Sequence, residues 1–237
     1  MTIEQPDLFG LEEPKPVMEP TPPADNADNK IYVPFLPGVK AEDSFQQLNS
    51  LAELARQAQK CERCRLRSGC SQVVFGEGNP QSRIVFIGEG PGQDEDIQGR
   101  PFVGKAGQLL NKILEAADFS RPEVYICNVV KCRPPGNRLP NPDEVKECSK
   151  WLEAQIRILK PQIIVCLGAM ASKVVIDPNA QISKIRGNWF NRQGVRIMAT
   201  FHPAALLRNE AYKRPTWEDF KQIRDLYKKM NAKETDI

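Results

Sequence analysis

Short apolar runs alternate with amphipathic segments along most of the chain. The runs at residues 83–88, 124–129 and 162–167 have the length and β-branched content of buried strands, and two shorter strands are predicted around Gln193-Gly194. Apolar residues at helical spacing predict helices at about 44–59, 104–117, 142–159 and 216–231, and a short helix that follows the strand 162–167 and ends at about Val175. Ser44 is the predicted N-cap of the first helix. Strands that alternate with helices predict an α/β three-layer sandwich with a mostly parallel sheet.

Residues 1–43 lack this pattern. They hold eight of the twenty prolines, with nine acidic and three basic side chains, so they cannot bury enough apolar surface to fold. We therefore predict a disordered acidic, Pro-rich tail at 1–43 and one folded domain at 44–237. Within the tail, Gln5 to Phe9 (QPDLF) resembles the short peptide that bacterial replication and repair proteins insert into a sliding clamp, although a chance apolar pair in a linker would look the same.

The net charge of +3 conceals a basic folded part, because the tail alone carries −6. A basic domain favours a polyanionic partner such as nucleic acid. No apolar segment approaches the roughly 18 residues that span a bilayer, and the N-terminus lacks a secretory pattern, so we expect a cytoplasmic monomer with no membrane contact. In a reducing compartment, the seven cysteines indicate metal ligation rather than disulfides.

Four cysteines have the arrangement of a metal site. Cys61 and Cys64 form a C-x2-C pair in a charged loop, and Cys132 and Cys148 form a widely spaced second pair. Four thiolates can hold either zinc or a [4Fe-4S] cluster, and the presence of a single C-x2-C knuckle favours the cluster. The remaining cysteines are interpreted as structural, with Cys70 able to compete as a ligand and two others in apolar runs, Cys127 and Cys166.

The loop 131–140 is rich in proline and arginine. Held in place by the metal site, it would become a rigid cationic projection suited to phosphates, with Lys131, Arg133 and Arg138 as its charges. A solvated turn is the simpler alternative.

Two phosphate-binding motifs are nearly present and both fail. Residues 99–106 approach a P-loop, but Ala106 replaces the hydroxyl that would hold magnesium, and residues 88–92 (GEGPG) lack dinucleotide spacing. What remains is a set of candidate site residues at predicted strand ends and in loops: Glu89, Phe102, Asn128 and His202. His202 is the single histidine of the chain. An aromatic face, a side-chain amide and a histidine donor are what a pocket for a flipped base requires.

At these residues the sequence closely resembles the family 4 uracil-DNA glycosylases, the iron–sulfur branch of their superfamily. The resemblance runs from about Leu51 to Lys229 and rests on separated motifs in the same order: Cys61-x2-Cys64, 88–92 (GEGPG) with Glu95-Asp96, 101–104 (PFVG), 128–135 (NVVKCRPP), Cys148 and 202–204 (HPA).

The resemblance implies a central four-stranded parallel sheet flanked by helices. It also implies a [4Fe-4S] cluster on Cys61, Cys64, Cys132 and Cys148. In the pocket, Phe102 would stack on uracil, Asn128 would bind N3 and O4, and His202 would donate to O2. Glu89 would position the attacking water and the Gly90 backbone would line the pocket. The implied activity is removal of uracil from DNA without strand cleavage; the alternative is a non-catalytic iron–sulfur protein that binds DNA or a replication partner.

Two positions depart from the wider superfamily, in which some members have Asp at the position of Gly90 and an aromatic at that of Gly92. Without an acid at 90 the general base is open, with Glu89 preferred and Glu95 or Asp96 as alternatives. Without an aromatic at 92, the group that excludes thymine is open as well. After His202, the loop 204–208 is expected to enter the duplex, with Leu206 or Leu207 filling the space of the flipped nucleotide and Arg208 holding phosphate.

Overall fold

The computed structural model describes residues 32–235. The helices and strands follow in the order α1 (Leu51–Ala58), β1 (Glu77–Gly78), β2 (Ile84–Gly88), α2 (Gln93–Gln98), α3 (Lys105–Ala116), β3 (Tyr125–Asn128), α4 (Pro142–Leu159), β4 (Ile163–Leu167), α5 (Ala169–Val175), α6 (Ile182–Ile185), β5 (Trp189–Arg192), β6 (Val195–Thr200), α7 (Pro203–Arg208) and α8 (Lys213–Thr235). None of the helices in this part of the chain combines the length and apolar character needed to cross a membrane.

The strands form one six-stranded sheet in the order β1-β3-β2-β4-β6-β5. Its four central strands are parallel, as predicted, and the short β1 and β5 pair antiparallel at the two edges. The central four-stranded parallel sheet is therefore confirmed, and the whole sheet is larger than expected by these two edge strands. The parallel register places Gly88 opposite Asn128 and Leu167 opposite Thr200, so the ends of β2, β3, β4 and β6 meet at one edge of the sheet.

Alternate residues of each strand enter two different cores, which makes the three layers. Val85 and Ile87 face a core that includes residues of α1, α4 and α5, whereas Ile84 and Phe86 face one that includes residues of α3 and α8. Because both faces are covered, the strands are continuous apolar runs, as is typical of parallel sheets.

Two local predictions are corrected. The helix expected from Ser44 is a 3-10 turn at Ser44–Gln47 followed by a break, and α1 begins only at Leu51 with Ser50 accepting from the Glu53 N–H. The break lets Phe45 stack on Trp151 at a centroid distance of 3.8 Å, a tertiary contact that outweighs local helix propensity. Further on, the acidic turn after Gly92 is the helix α2, whose first-turn carboxylates favour the positive end of a helix dipole.

The segment 33–43, assigned above to the tail, packs against the folded unit. Phe35 and Leu36 are buried in the core on the α4 side of the sheet, and their backbone N–H groups each donate to the Glu153 carboxylate at 2.7 Å. Composition placed the end of the tail too late in the chain, because the two buried side chains lie among prolines and a glycine. The predicted clamp-binding peptide, Gln5 to Phe9, lies outside the described residues.

Candidate active site

Three of the predicted pocket side chains meet above the end of β2. A Cβ atom on Gly88 would lie 2.4 Å from Asn128 Oδ1 and 2.5 Å from Phe102 Cζ, so only glycine allows both groups to approach the strand end. The ring centroids of Phe102 and His202 are 5.5 Å apart. The sheet edge therefore brings together an aromatic face, an amide and an imidazole that are distant in sequence.

Asn128 has a buried acceptor without a partner. Its side chain is 1% exposed, and its Oδ1 atom accepts no hydrogen bond from any described residue. An unpaired buried polar atom costs about 1–3 kcal/mol. Such an atom in a native fold needs an explanation, and here its place beside Phe102 makes it an acceptor available to a ligand.

The backbone of Phe102 is held in an unusual conformation. Its φ of +53° lies in the left-handed region, which non-glycine residues rarely adopt. The Arg121 guanidinium donates to the Phe102 carbonyl at 3.1 Å and also to that of Pro101. A Cβ atom on Gly107 would lie 1.9 Å from the same Phe102 oxygen. Arg121 and Gly107, neither of them identified from the sequence, thus fix the direction of the aromatic ring.

Glu95 and Asp96, the alternative bases, are structural. The Glu95 carboxylate accepts from the Gly92 N–H at 3.1 Å and from the Val103 and Gly104 N–H groups at 2.8 Å each, which joins the loop after β2 to the loop that carries Phe102. Asp96 is buried and accepts from the backbone and hydroxyl of Ser71. Both oxygens of each carboxylate therefore already hold groups of the fold, which leaves Glu95 and Asp96 less available to a water molecule than Glu89.

Replacing Glu95 by glutamine is expected to lower the free energy of unfolding by about 1–3 kcal/mol. The new side-chain NH2 group would face a backbone N–H group, and that N–H group would lose its acceptor. Urea denaturation measures the change. Glu115→Gln, the same substitution at an exposed position of α3, is the control. Equal denaturation midpoints for the two variants would show that Glu95 does not tie the loops together.

His202 is set up as a neutral donor. It is the N-cap of α7, and its Nδ1 atom accepts from the Ala204 N–H at 3.1 Å, which leaves the proton on Nε2. Burial, together with the nearby positive charge of Arg208, lowers its pKa to about 4. A Cβ atom on Gly168 would lie 2.8 Å from His202 Cβ, so glycine is needed at the end of β4 to admit the histidine.

Glu89 is the one carboxylate of the predicted set that keeps its acceptors free. Its side chain is partly buried and makes no hydrogen bond to any described residue. Burial raises its pKa, and Arg208 opposes that rise. At the next residue, a Cβ atom on Gly90 would lie 2.6 Å from Val130 Cγ2, so the acid found here in some superfamily members does not fit unless Val130 moves.

The residues predicted to contact DNA differ in their exposure to solvent. Leu206 is 2% exposed and belongs to the interior, whereas Leu207 is 51% exposed and projects from α7 beside the exposed Arg208. Lys131 is 2% exposed and donates from Nζ to the Asn128 carbonyl, so the prediction that it contacts phosphate is wrong. Leu206 is excluded for the same reason, because a buried side chain cannot enter a duplex. Arg133 remains partly exposed.

The four predicted ligand cysteines line one cavity. Apolar side chains form much of its wall, and its lining includes Cys61, Cys64, Cys132 and Cys148 but not Cys70. Cys70 instead donates to the Arg67 carbonyl and lies beside the Cys132 thiol. Two of the four sulfur atoms accept N–H groups: Cys61 from the Trp151 indole at 3.3 Å and Cys148 from the Lys131 backbone at 3.2 Å.

The four thiols do not form a ready-made metal site. Within residues 32–235, no three His, Cys, Asp or Glu side chains converge closely enough for a single metal ion. Burial raises the pKa of the Cys148 thiol to about 12 and also raises that of Cys132, so both hold their protons until positive charge in the cavity replaces them. N–H donors aimed at sulfur also suit thiolate ligands.

Comparison with known proteins identifies the family to which the chain is similar. A family model described as the uracil DNA glycosylase superfamily matches residues 75–221. The type-4 uracil-DNA glycosylase of Thermotoga maritima is 48% identical over 176 residues, which cover 72% of this chain and 91% of that protein. Those of Sulfurisphaera tokodaii and Archaeoglobus fulgidus are 41% and 40% identical, each over 76% of this chain and over 86% and 94% of their own lengths.

Proposed function

The chain belongs to the uracil-DNA glycosylase superfamily, with type-4 enzymes among its relatives, and from this premise we propose how its own residues remove uracil from DNA. The enzyme hydrolyses the bond between uracil and deoxyribose in DNA repair. The base must leave the stack to reach a pocket at the sheet edge. The observation that carries the proposal is the buried, unpaired Oδ1 atom of Asn128 beneath Phe102.

Asn128 and Phe102 recognise the base. The free Oδ1 atom accepts from uracil N3–H, and the Nδ2 group donates to O4, a pairing that cytosine cannot match because its N3 is an acceptor and its N4 a donor. Phe102 stacks on the ring from the loop that Glu95 and Arg121 hold. Gly90 lines the pocket through its backbone.

His202 stabilises the departing base. As the glycosidic bond breaks, negative charge develops on uracil O2, and the neutral imidazole donates to it from Nε2. The geometry is preorganised, since the Ala204 N–H already holds Nδ1 as the acceptor. A fixed donor of this kind contributes about 3–4 kcal/mol to the transition state.

Glu89 orients the attacking water and balances the positive charge that develops on the sugar. Both roles require the ionised carboxylate. Because burial raises the Glu89 pKa above its ordinary value of 4.5, activity should fall as pH decreases through that raised pKa. His202, with a pKa of about 4, stays neutral over the same range and does not cause the fall.

Glu89→Gln is expected to slow uracil release about 100-fold, the lower end of what a positioned base contributes, because the amide keeps the size and one acceptor but loses the charge. Single-turnover rates measured from pH 5 to pH 8, where His202 remains neutral, should also lose their acidic limb in this variant. Glu115→Gln is the charge-matched control. Wild-type activity in Glu89→Gln would assign the water to another group.

Leu207 and Arg208 are proposed to contact the duplex, with Leu207 filling the space of the flipped nucleotide and Arg208, together with Arg133, holding phosphate. Leu207→Ala is expected to slow release from double-stranded DNA more than from single-stranded DNA, without loss of stability. Leu206→Ala, its buried neighbour, should instead lower the free energy of unfolding by about 2–5 kcal/mol. Similar behaviour of the two variants would contradict this division of roles.

Cys61, Cys64, Cys132 and Cys148 are proposed to hold a [4Fe-4S] cluster. When bound, the cluster cross-links the loop after α1, the loop after β3 and helix α4. Support comes from the four-sulfur lining and the N–H groups aimed at two sulfurs. Iron and sulfide analysis with visible absorption of anaerobically purified protein is the test, and stoichiometric zinc without iron would contradict it.

The activity itself is tested with an oligonucleotide that contains one uracil. Incubation followed by alkali should cut the strand at that position, while a thymine control remains intact. Without alkali the strand should stay whole, since Lys131, three residues after Asn128, is buried against the Asn128 carbonyl and cannot attack the sugar. Cleavage no greater than the thymine control, in protein with a full metal content, would contradict glycosylase activity.

We also propose that Gln5 to Phe9 binds a sliding clamp. The support is the sequence pattern alone. Deletion of residues 1–10 should abolish clamp binding in a pull-down with the purified clamp and leave uracil release from short oligonucleotides unchanged. Leu8→Ala with Phe9→Ala should reproduce the deletion, and unaltered binding in both would contradict the proposal.

A further inference from the structure

We propose that Lys131 is a positioning residue that ties the base-binding Asn128 to the wall of the four-cysteine cavity. The proposal rests on the function assigned above to Asn128. Lys131 lies three residues after Asn128 and directly before Cys132, at the start of the Pro- and Arg-rich loop 131–140. Its burial removes it from DNA and gives it a different task.

The side chain of Lys131 holds the backbone of Asn128. Its Nζ atom donates to the Asn128 carbonyl at 2.7 Å and to the Gln155 side-chain oxygen, and it lies 5.9 Å from the centre of the Phe75 ring. Asn128 is the last residue of β3, so its peptide group lies where the ladder ends. The Val129 and Val130 N–H groups still donate to the Gly88 and Glu89 carbonyls, and the bond from Nζ adds a partner for the Asn128 carbonyl itself.

The backbone of Lys131 is bonded at the cysteine cavity. Its N–H donates to the Cys148 sulfur at 3.2 Å, and its carbonyl accepts from the Val74 N–H at 2.7 Å. The main chain of one residue is thus anchored at the cysteine cavity while its side chain anchors the substrate-binding strand.

Helix α4 completes the frame. Cys148 and Gln155 are seven residues apart, which is two helical turns, so they lie on the same face and both bond to Lys131. Gln155 is fixed in turn, because its amide donates to the Phe75 carbonyl at 2.9 Å and to the Tyr125 hydroxyl at 3.2 Å. A shift of α4 at the cavity would therefore be transmitted to Asn128 through a short rigid path.

Removal of the Nζ group should displace the Asn128 amide without removing it. Displacement of a recognition group by about 1 Å can cost about 100-fold in rate. Lys131→Met keeps the apolar stem and deletes the donor. We expect it to slow single-turnover uracil release about 10- to 100-fold, because a lost hydrogen bond to a charged group has an effect of this order. Lys112→Met, at an exposed position of α3, is the matched control.

A double-mutant cycle separates positioning from general damage. If Lys131 acts through Asn128, then Lys131→Met should cause no further loss in an Asn128→Ala background. Metal content and visible absorption of Lys131→Met should match the wild type, while its affinity for an uncleavable pseudouridine oligonucleotide should fall. Multiplied losses in the double mutant, or a rate in Lys131→Met equal to that of Lys112→Met, would overturn the proposal.

Gln155→Met provides a second route if Lys131→Met yields no folded protein. It removes the acceptor that steers Nζ, and its smaller loss should likewise vanish in the Asn128→Ala background. Wild-type cleavage in the same assay tests the glycosylase function separately. If the wild-type protein cuts at uracil but the rate losses of the single variants multiply in the double mutants, the role of Lys131 is rejected and the glycosylase function stands.

Discussion

Asn128→Ala is expected to slow the release of uracil about 1,000-fold, a loss of the size caused by removing one oxyanion-hole donor. The substitution removes the acceptor for N3–H and the donor to O4 together. Stability should hold or rise, because the buried Oδ1 atom has no partner in the protein and its deletion relieves an unpaired polar group. Loss of activity with retained or increased stability is the result expected for a side chain that binds substrate and does not stabilise the fold.

Single-turnover cleavage and urea denaturation measure the two effects on one preparation. Asn191→Ala, an exposed position on β5, is the control and should change neither quantity. Discrimination should weaken as well, so the ratio of uracil to cytosine cleavage is expected to fall. An Asn128→Ala enzyme with more than a tenth of wild-type activity would mean that base recognition lies elsewhere in the pocket.

His202→Asn is expected to slow release by a similar factor, about 1,000-fold, through loss of the donor to O2. Asparagine is chosen because its short side chain is a good N-cap, so it can accept from the Ala204 N–H and keep α7 in place. The loss can then be attributed to the missing Nε2–H group and not to a displaced Leu207.

A better leaving group distinguishes this role from simple packing. The 5-fluorouracil anion needs less stabilisation than the uracil anion, so the loss caused by His202→Asn should be smaller with 5-fluorouracil in DNA. The acidic limb of the wild-type pH profile should persist in this variant, since that limb belongs to Glu89. An equal loss on both bases would assign His202 a packing role.

The sequence predicted three side chains that the structure brings together at one sheet edge, but it did not predict the residues that hold them there. Asn128 and His202 could be identified because parallel strands end at a common edge and because polar residues at those ends have few structural uses. Arg121 was missed since nothing local links a surface-like arginine to carbonyl groups some twenty residues away. Glu95 was considered only as an alternative base, and its part in joining the loops was missed because its three backbone donors come together only after the loops have folded.

The residues predicted to contact DNA show a different limit of sequence-based prediction. Leu206 and Leu207 are adjacent, so their roles depend on the rotational phase of α7, which a sequence does not determine to within one residue. Lys131 was mistaken for a phosphate ligand because lysine is rarely buried and its neighbours are arginine and proline. Only the fold shows that its side chain points inward, toward Asn128 and Gln155.

The contact between Gly90 and Val130 restricts the mutational routes open to this enzyme. A carboxylate introduced at position 90 could serve as a second base, but its Cβ atom would meet a β-branched side chain that has little rotational freedom. Shrinking Val130 first, for example to alanine, opens the space at the cost of a small void, and only then can an acid be added. The two changes are therefore order-dependent, and laboratory evolution by single steps should find the change at 130 before the change at 90.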